Sequence, residues 1–347
     1  AEQLVARLVT LVAAAWRDRQ PGGVSWAYGH AVVGHNRRVQ YAGGLARMYG
    51  KTDVPDFECI EGYEDHGVDF LFTWTLEGKL SGMIVNLACP SQEVEGESYV
   101  SADFWHDARE AIRQRHGAAL PILAQCSAAG DQSPHLLVHK AAEAHMLQLR
   151  GLTPRQEIGR RIANAVDDVL EFAAADIRTD LPLVHHVAEV PLPVRRVSRA
   201  EYEEALARLA EAEATPVTPD QPFEYSRRYV MLRRYGRVKT RYETQDQEPV
   251  YATPVHVLRL GDIAFATNPF ELFLDFGLRM KARSRAVQTF VVQLTGTGSN
   301  TVSGYLATAR SVAAKSYGAE VADNRVGPEG GQVLVDRTVE MINALWD

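Results

Sequence analysis

Apolar and polar positions alternate along the chain in a way that separates short strands from amphipathic helices. Residues 80–88 read as a strand whose stretch from 83 to 89 is nearly all apolar, as expected of a central strand covered on both faces. Residues 68–75 give a second strand, joined to it through the turn Glu77-Gly78-Lys79, and residues 24–33 a third. Ser101-Ala102-Asp103 opens a helix over 104–116 with Trp105, Ala108 and Ile112 on its buried side, and Gly117 stops it. Another apolar run follows from 120 to 127. Strand, helix and strand in that order form a βαβ unit, so strands 80–89 and 120–127 should be parallel. Their loops, 90–95 and 128–135, then reach the same sheet edge.

The pattern continues with a long helix over 154–175 and a proline-bounded extended segment over 181–193. Ser198 and Glu201 form a capping box for a helix reaching 214. Three prolines between 215 and 222 mark a linker, and 223–241 is a helix rich in Arg and Tyr. Residues 251–260 and 262–267 read as a hairpin around Gly261, followed by a helix over 272–283, a strand over 289–294 and a last helix over 331–346. Near the start, Leu4, Leu8, Leu11, Val12 and Ala15 share one face of an amphipathic helix of the fold. Residues 34–38 and 41–66 read as loops. The expected class is α/β, with a mixed, largely parallel sheet flanked by helices and a site at the C-terminal ends of the strands. Residues 1–347 form one domain, with 151–222 as a helical and loop excursion.

Composition narrows the function classes. The chain has 347 residues, 46% of them hydrophobic and 23% charged, which is the balance of a globular protein. A net charge of -7 gives no electrostatic basis for binding nucleic acid or an anionic membrane. Paired arginines such as Arg37-Arg38 and Arg233-Arg234 are dispersed among acidic residues, which suggests solvated faces. Cys59, Cys89 and Cys126 are too few and too scattered for a disulfide framework or a zinc knuckle. The apolar stretch over 4–16 is too short to span a bilayer and carries no signal-peptide cleavage pattern.

Four strand ends run into polar loops, at 90–95, 128–135, 268–271 and 295–305. In the second, Gly130-Asp131-Gln132-Ser133-Pro134, glycine frees the backbone, Asp131 can bond the backbone ahead of it, and Pro134 extends Ser133. That would hold the Ser133 hydroxyl at a strand tip; an Asx turn with a capping serine fits the same residues. Glu271 follows Pro269 at a helix start, where the dipole favours a carboxylate. His35, His135, His139 and the adjacent His185-His186 fall at loop edges or on extended chain, without a His-Glu-x-x-His pattern. There is no Walker lysine, dinucleotide fingerprint or Gly-x-Ser-x-Gly elbow.

Five of these stretches, in order, resemble the neutral/alkaline (non-lysosomal) ceramidase family. They are Asn36-Arg37-Arg38, Asn86-Leu87-Ala88-Cys89-Pro90-Ser91 with Ser101-Ala102-Asp103, Gly130-Asp131-Gln132-Ser133-Pro134, Asn268-Pro269-Phe270-Glu271, and Ser303-Gly304-Tyr305-Leu306. The resemblance implies a zinc hydrolase that cuts the amide of an N-acyl sphingoid lipid. It assigns Glu271 and Tyr305 as metal ligands and Ser133, with Asp131, to the catalytic site. Arg37, Ser91 and Gln92 would bind a small-molecule or lipid-like acyl substrate, and a secreted or periplasmic location would follow.

The sequence departs from the family pattern where a histidine ligand is expected: Pro90 stands there. The second histidine belongs to a segment that would precede residue 1, and the family's C-terminal β-sandwich has no counterpart. Cys89, Gln92, Glu93, Glu95, His66 and His35 are the residues that could replace the missing ligands. The sequence therefore supports a ceramidase-like hydrolase using metal-activated water, and beside it a non-catalytic relative that keeps the fold without a complete zinc site. A metal-free serine nucleophile at Ser133 is a third reading, for which the sequence identifies no partner histidine.

Overall fold

The computed structural model describes residues 2–218, 220–295 and 304–347. Its first half runs α1 (Glu2–Arg17), β1 (Gly22–His30), β2 (His35–Asn36), β3 (Arg38–Tyr41), β4 (Ala46–Met48), β5 (Phe57–Ile60), β6 (Gly67–Thr75), β7 (Leu80–Leu87), α2 (Phe104–His116), β8 (Ile122–Cys126) and β9 (Gln132–Ser133). Next come α3 (Lys140–Arg150), α4 (Pro154–Ala174), β10 (Leu183–Pro193), α5 (Arg199–Ala214) and α6 (Pro222–Thr244). The remainder is β11 (Val250–Leu260), β12 (Ile263–Thr267), β13 (Glu271–Leu272), α7 (Leu274–Arg283), β14 (Gln288–Val292), β15 (Tyr305–Leu306), α8 (Ala309–Ala314) and α9 (Pro328–Asn343).

Two four-stranded sheets, ordered β1-β6-β7-β8 and β10-β11-β12-β14, lie face to face. Strand periodicity sorts their side chains. Val68, Phe70, Phe72 and Trp74 of β6, with Met83, Val85 and Leu87 of β7, pack outward under α2 and α4. The intervening Leu71 and Ile84 turn inward to meet Ile263, Phe265 and Phe290 of the other sheet. That second sheet sends Val255, Val257, Ala264, Ala266 and Val291 outward to α7 and α9. The result is a four-layer αββα sandwich, and it explains the apolar run at 83–89: β7 has a helix layer on one side and a sheet on the other.

The α/β class holds, but the expected single, largely parallel sheet does not. Each sheet has two antiparallel ladders and one parallel one, β7 with β8 and β12 with β14. Connection length accounts for the two hairpins. Tight turns after β6 and β11 return the chain at once and enforce antiparallel pairing. The crossovers through α2 and α7 return the chain in parallel, whereas the longer connections from β1 to β6 and from β10 to β11 bring antiparallel partners together. The βαβ expectation for β7, α2 and β8 agrees with the parallel register Val85↔Ala124.

The 151–222 stretch supplies α4, which covers the first sheet, and β10, which pairs along its whole length with β11. It is therefore mostly framework, and only the α5–α6 pair stands apart, joined through Val197, Ala205 and Val238. Residues 41–66 are not simply loop: β3 pairs with both β4 and β5 over a small core of Val39, Tyr41 and Leu137. The amphipathic helix at the start forms as α1, yet none of its residues is buried, and Leu8 and Trp16 are 50% and 68% exposed.

Polar side chains fasten the layers together. Buried Asp69 accepts from Lys281 Nζ at 2.9 Å and Gln288 Nε2 at 2.8 Å, and Asn86 Nδ2 donates to the Val291 carbonyl at 2.9 Å. Gln293, also buried, accepts with Oε1 from the backbone of Ala129 at 3.2 Å and Leu272 at 3.0 Å, while its Nε2 lies 3.3 Å from Cys126 Sγ. Replacing Lys281 by Met should leave Asp69 short of its cation and cost about 3 kcal/mol. Urea unfolding would measure this, and Asp69→Asn in the same chain should recover part of the loss. Single and double variants of equal stability would refute the role given to this pair.

Candidate active site

The site grows from a two-residue ribbon. β2 pairs with β9 so that His35 faces Ser133 and Asn36 faces Gln132. This brings the Asn36-Arg37-Arg38 segment, expected as a polar loop with solvated arginines, into the interior: Arg37 is 5% and Arg38 1% exposed. Burial is possible because each guanidinium is hydrogen-bonded. Arg38 Nε reaches both oxygens of Glu61, at 3.0 and 2.9 Å, and its Nη1 donates to the Tyr317 carbonyl at 3.0 Å. Glu61 also accepts a very short hydrogen bond from Ser311. Arg37 Nη2 donates to the Gly130 carbonyl at 2.9 Å and to the Tyr305 hydroxyl at 3.1 Å.

Gly130 is required by contact rather than by dihedral freedom. A Cβ built there would lie 2.3 Å from the Glu271 carbonyl oxygen, because Gly130 N–H donates to the Leu272 carbonyl at 2.7 Å. Asp131 follows and is fully occupied. Its Oδ1 accepts from the backbone N–H of Leu274, the first residue of α7, and its Oδ2 from Asn36 Nδ2, both at 2.9 Å. Its backbone carbonyl takes the Arg37 N–H at 2.9 Å. Burial raises its carboxyl above the ordinary value, opposed by the Leu274 hydrogen bond. Asp131 is thus a buried structural anchor, with neither oxygen open to a ligand.

β13 and β15 pair in parallel with Glu271 opposite Tyr305, so the two expected metal ligands are direct neighbours. Burial raises the Tyr305 hydroxyl far above its usual range; Arg37 opposes this and the Glu271 carboxylate adds to it. Tyr305 is therefore a protonated phenol. Ser133 is completely buried, its Oγ lying 3.1 Å from the Tyr49 hydroxyl and accepting the His135 N–H at 3.2 Å. The Tyr49 hydroxyl is also 3.2 Å from Glu95 Oε1.

Loops 90–95, 128–135 and 268–271 do converge. Of the 295–305 loop, residues 296–303, including Ser303, lie outside the described residues, while Gly304 and Tyr305 stand at the site. Ser91 is exposed, and Gln92 is half-buried with Oε1 unpaired among the described residues. Glu93 of the same loop reaches His135 Nδ1 at 3.4 Å, and Glu95 lies 3.6 Å from its Nε2. His35 is buried against Glu64, Nδ1 to Oε2 at 3.2 Å, and His66 Nε2 meets the same oxygen at 3.3 Å. Burial alone would raise Glu64, but hydrogen bonds from His35 and His66 outweigh it and bring the carboxyl down to about 2. Tyr49, His35 and Glu64 carry no sequence pattern; they are adjacent only through β2–β9 pairing and the turns around it.

These residues do not suit zinc. Glu271 and Tyr305 meet, but Arg37 already holds a positive charge against the Tyr305 hydroxyl, and Pro90 has no donor atom. His35, His66, Glu93, Glu95, Gln92 and Cys89 do not join them: among the described residues no three His, Cys, Asp or Glu side chains are placed to hold a metal ion. Burial also raises the Cys89 thiol well above its normal range.

The architecture is shared with solved ceramidases. The neutral ceramidase of Pseudomonas aeruginosa superposes with a TM-score of 0.60 over 96% of this chain, at 16% identity. A ceramidase complexed with C2 does so with a TM-score of 0.57 over 94%, also at 16% identity. In both cases the match covers 54% of the other chain, so this chain spans about half the length of either. No protein-family model matches the sequence, and no curated protein matches it. What the chain has in common with those enzymes is the ceramidase fold.

Removing the Asp131 carboxylate tests its anchoring role. Asp131→Ala should leave the Leu274 N–H and the Asn36 amide unpaired and destabilise the fold by about 1–3 kcal/mol. Asp131→Asn, which keeps an acceptor, should cost less. Because the folded chain holds the Asp131 proton more tightly than the unfolded chain does, its contribution falls as pH rises through the window above 3.8. Asp131→Asn should flatten that part of the stability–pH curve, and an unaltered curve would contradict the assignment.

Proposed function

We propose that this chain is a ceramidase-like hydrolase that cleaves an amide (N-acyl) or related acyl bond of a lipid-like or small acyl substrate beside Ser133. The observation that carries this reading is the Arg37 guanidinium, which joins the Gly130 carbonyl to the Tyr305 hydroxyl. Through it, three stretches that resemble ceramidase motifs meet at one point, on a ceramidase fold. Arg37 provides a fixed cation in a water-poor setting, where negative charge developing on a carbonyl oxygen is most strongly stabilised. Tyr305 keeps its proton and directs it toward Glu271, which fixes the phenol as a hydrogen-bond donor. No step is assigned to zinc, because the donor set does not suit it.

A second reading has its own support: Pro90 and the Arg37–Tyr305 contact both disfavour a complete zinc site. On that reading the chain keeps the fold and is non-catalytic.

Turnover of an N-acyl p-nitroanilide and a p-nitrophenyl ester, with metal content measured on the same sample, separates the two. The hydrolase reading expects turnover, reduced by about 100-fold in Ser133→Ala with little change in melting temperature. Chelator should leave the rate unchanged, since no metal step is invoked. Absence of turnover on both substrates would favour the non-catalytic reading, whereas stoichiometric zinc and loss of activity with chelator would show that the donor set has been misjudged.

A further inference from the structure

A pocket of about 410 Å³ opens beside the Ser133 ribbon, between the His135 loop and helices α3 and α4. Val33, Leu136, Leu147 and Ile158 give it apolar walls. Its polar lining groups are His35, Glu93, His135, Lys140, Glu143 and Arg161. Each histidine there has a carboxylate on Nδ1, His35 on Glu64 at 3.2 Å and His135 on Glu93 at 3.4 Å, and His135 has Glu95 as well, 3.6 Å from its Nε2. The His35 ring also borders a second cavity, and that one contains Glu64 and His66. Nδ1 is turned to Glu64, which leaves Nε2 as the ring nitrogen that Glu64 does not engage. A carboxylate on Nδ1 fixes the tautomer that leaves Nε2 as an acceptor. His35 is in addition the direct cross-strand partner of Ser133, and the His135 N–H donates to Ser133 Oγ.

We propose that His35, oriented by Glu64, and His135, paired with Glu93, form a metal-independent proton-transfer pair serving an acyl substrate in this pocket. The proposal rests on the hydrolase reading above and supplies its missing base. Water oxygen bonds to the acyl carbon and loses a proton to His35 Nε2. The bond from that carbon to the leaving nitrogen or oxygen then breaks, and His135 Nε2, exchanging its 3.6 Å contact with Glu95 for the leaving atom, gives that atom a proton. Exchange with solvent restores both rings, so protons and electrons balance without a metal. Glu64 touches no substrate; it is a positioning residue.

The test is turnover of the same two acyl substrates by the full chain, in chelator, for wild type, His35→Gln, His135→Gln, Glu64→Gln and Glu64→Asp. His35→Gln should lower kcat by about 100-fold with KM changed less than about threefold. Glu64→Gln should lower kcat by about tenfold and Glu64→Asp restore part of it, as positioning requires. Nitrogen NMR gives a readout independent of turnover: His35 should carry its proton on Nδ1 in the wild type and lose that preference in Glu64→Gln. If His35→Gln fails to fold, the Glu64 variants, made at a partly exposed carboxylate, carry the test. An active wild type with undiminished His35→Gln and Glu64→Gln variants would overturn this inference alone. A wild type inactive on both substrates would overturn the hydrolase reading and this inference together, and a wild-type proton on Nε2 would refute the orientation assigned to His35.

Discussion

The carboxylate of Asp131 accepts from the Asn36 amide and from the first backbone N–H of α7, while its own carbonyl takes the N–H of Arg37. One buried residue thus joins the ribbon that carries Asn36 and Arg37 to the helix that follows Glu271. Burying a carboxylate carries a desolvation cost, and the arrangement persists because both oxygens are hydrogen-bonded. The position of Arg37 depends on this anchor, and the Arg37 contacts with Gly130 and Tyr305 depend on that position. Gly130 completes the constraint, since any side chain there would collide with the Glu271 backbone. The site is therefore a consequence of close backbone approach first and of side-chain chemistry second.

Much of the framework was legible in the sequence because local signals are strong where periodicity is long. The capping box at Ser198, the glycine stop at Gly117 and the βαβ order around α2 each act within a few residues and each hold in the structure. Which histidine meets which carboxylate was not legible, because His35 and Glu64 are brought together only by the way the intervening chain doubles back. The two-residue strands β2, β9, β13 and β15 are too short to show any alternation, yet they position Ser133, Glu271 and Tyr305. Arginine pairs were misread for a related reason. Composition sees only their charge, whereas Arg38 is buried by virtue of Glu61, distant from it in sequence.

The ceramidase-like motifs lie on loops that meet in the structure, and the geometry there bears on what those residues can do. Asp131 is spent on capping α7 and on Asn36, so it has no free oxygen for a reacting group. Glu271 and Tyr305 face each other, but the cation at their side is an arginine. Histidine and carboxylate come together instead beside that point, at the pocket lined by His35, Glu93 and His135.

Gln293 belongs to the same edge, where the parallel strands of the two sheets come together. Its single amide oxygen serves two backbone N–H groups, from Ala129 and Leu272, and its amide nitrogen lies against Cys126. An amide has distinct donor and acceptor ends, so only one orientation satisfies these three neighbours. Shifting one sheet past the other by a residue would part Gln293 from Cys126 and leave the Ala129 N–H without its acceptor. Gln293 therefore acts as a register pin between the halves of the sandwich. The loops that form the site are held in phase by a side chain that takes no part in their chemistry.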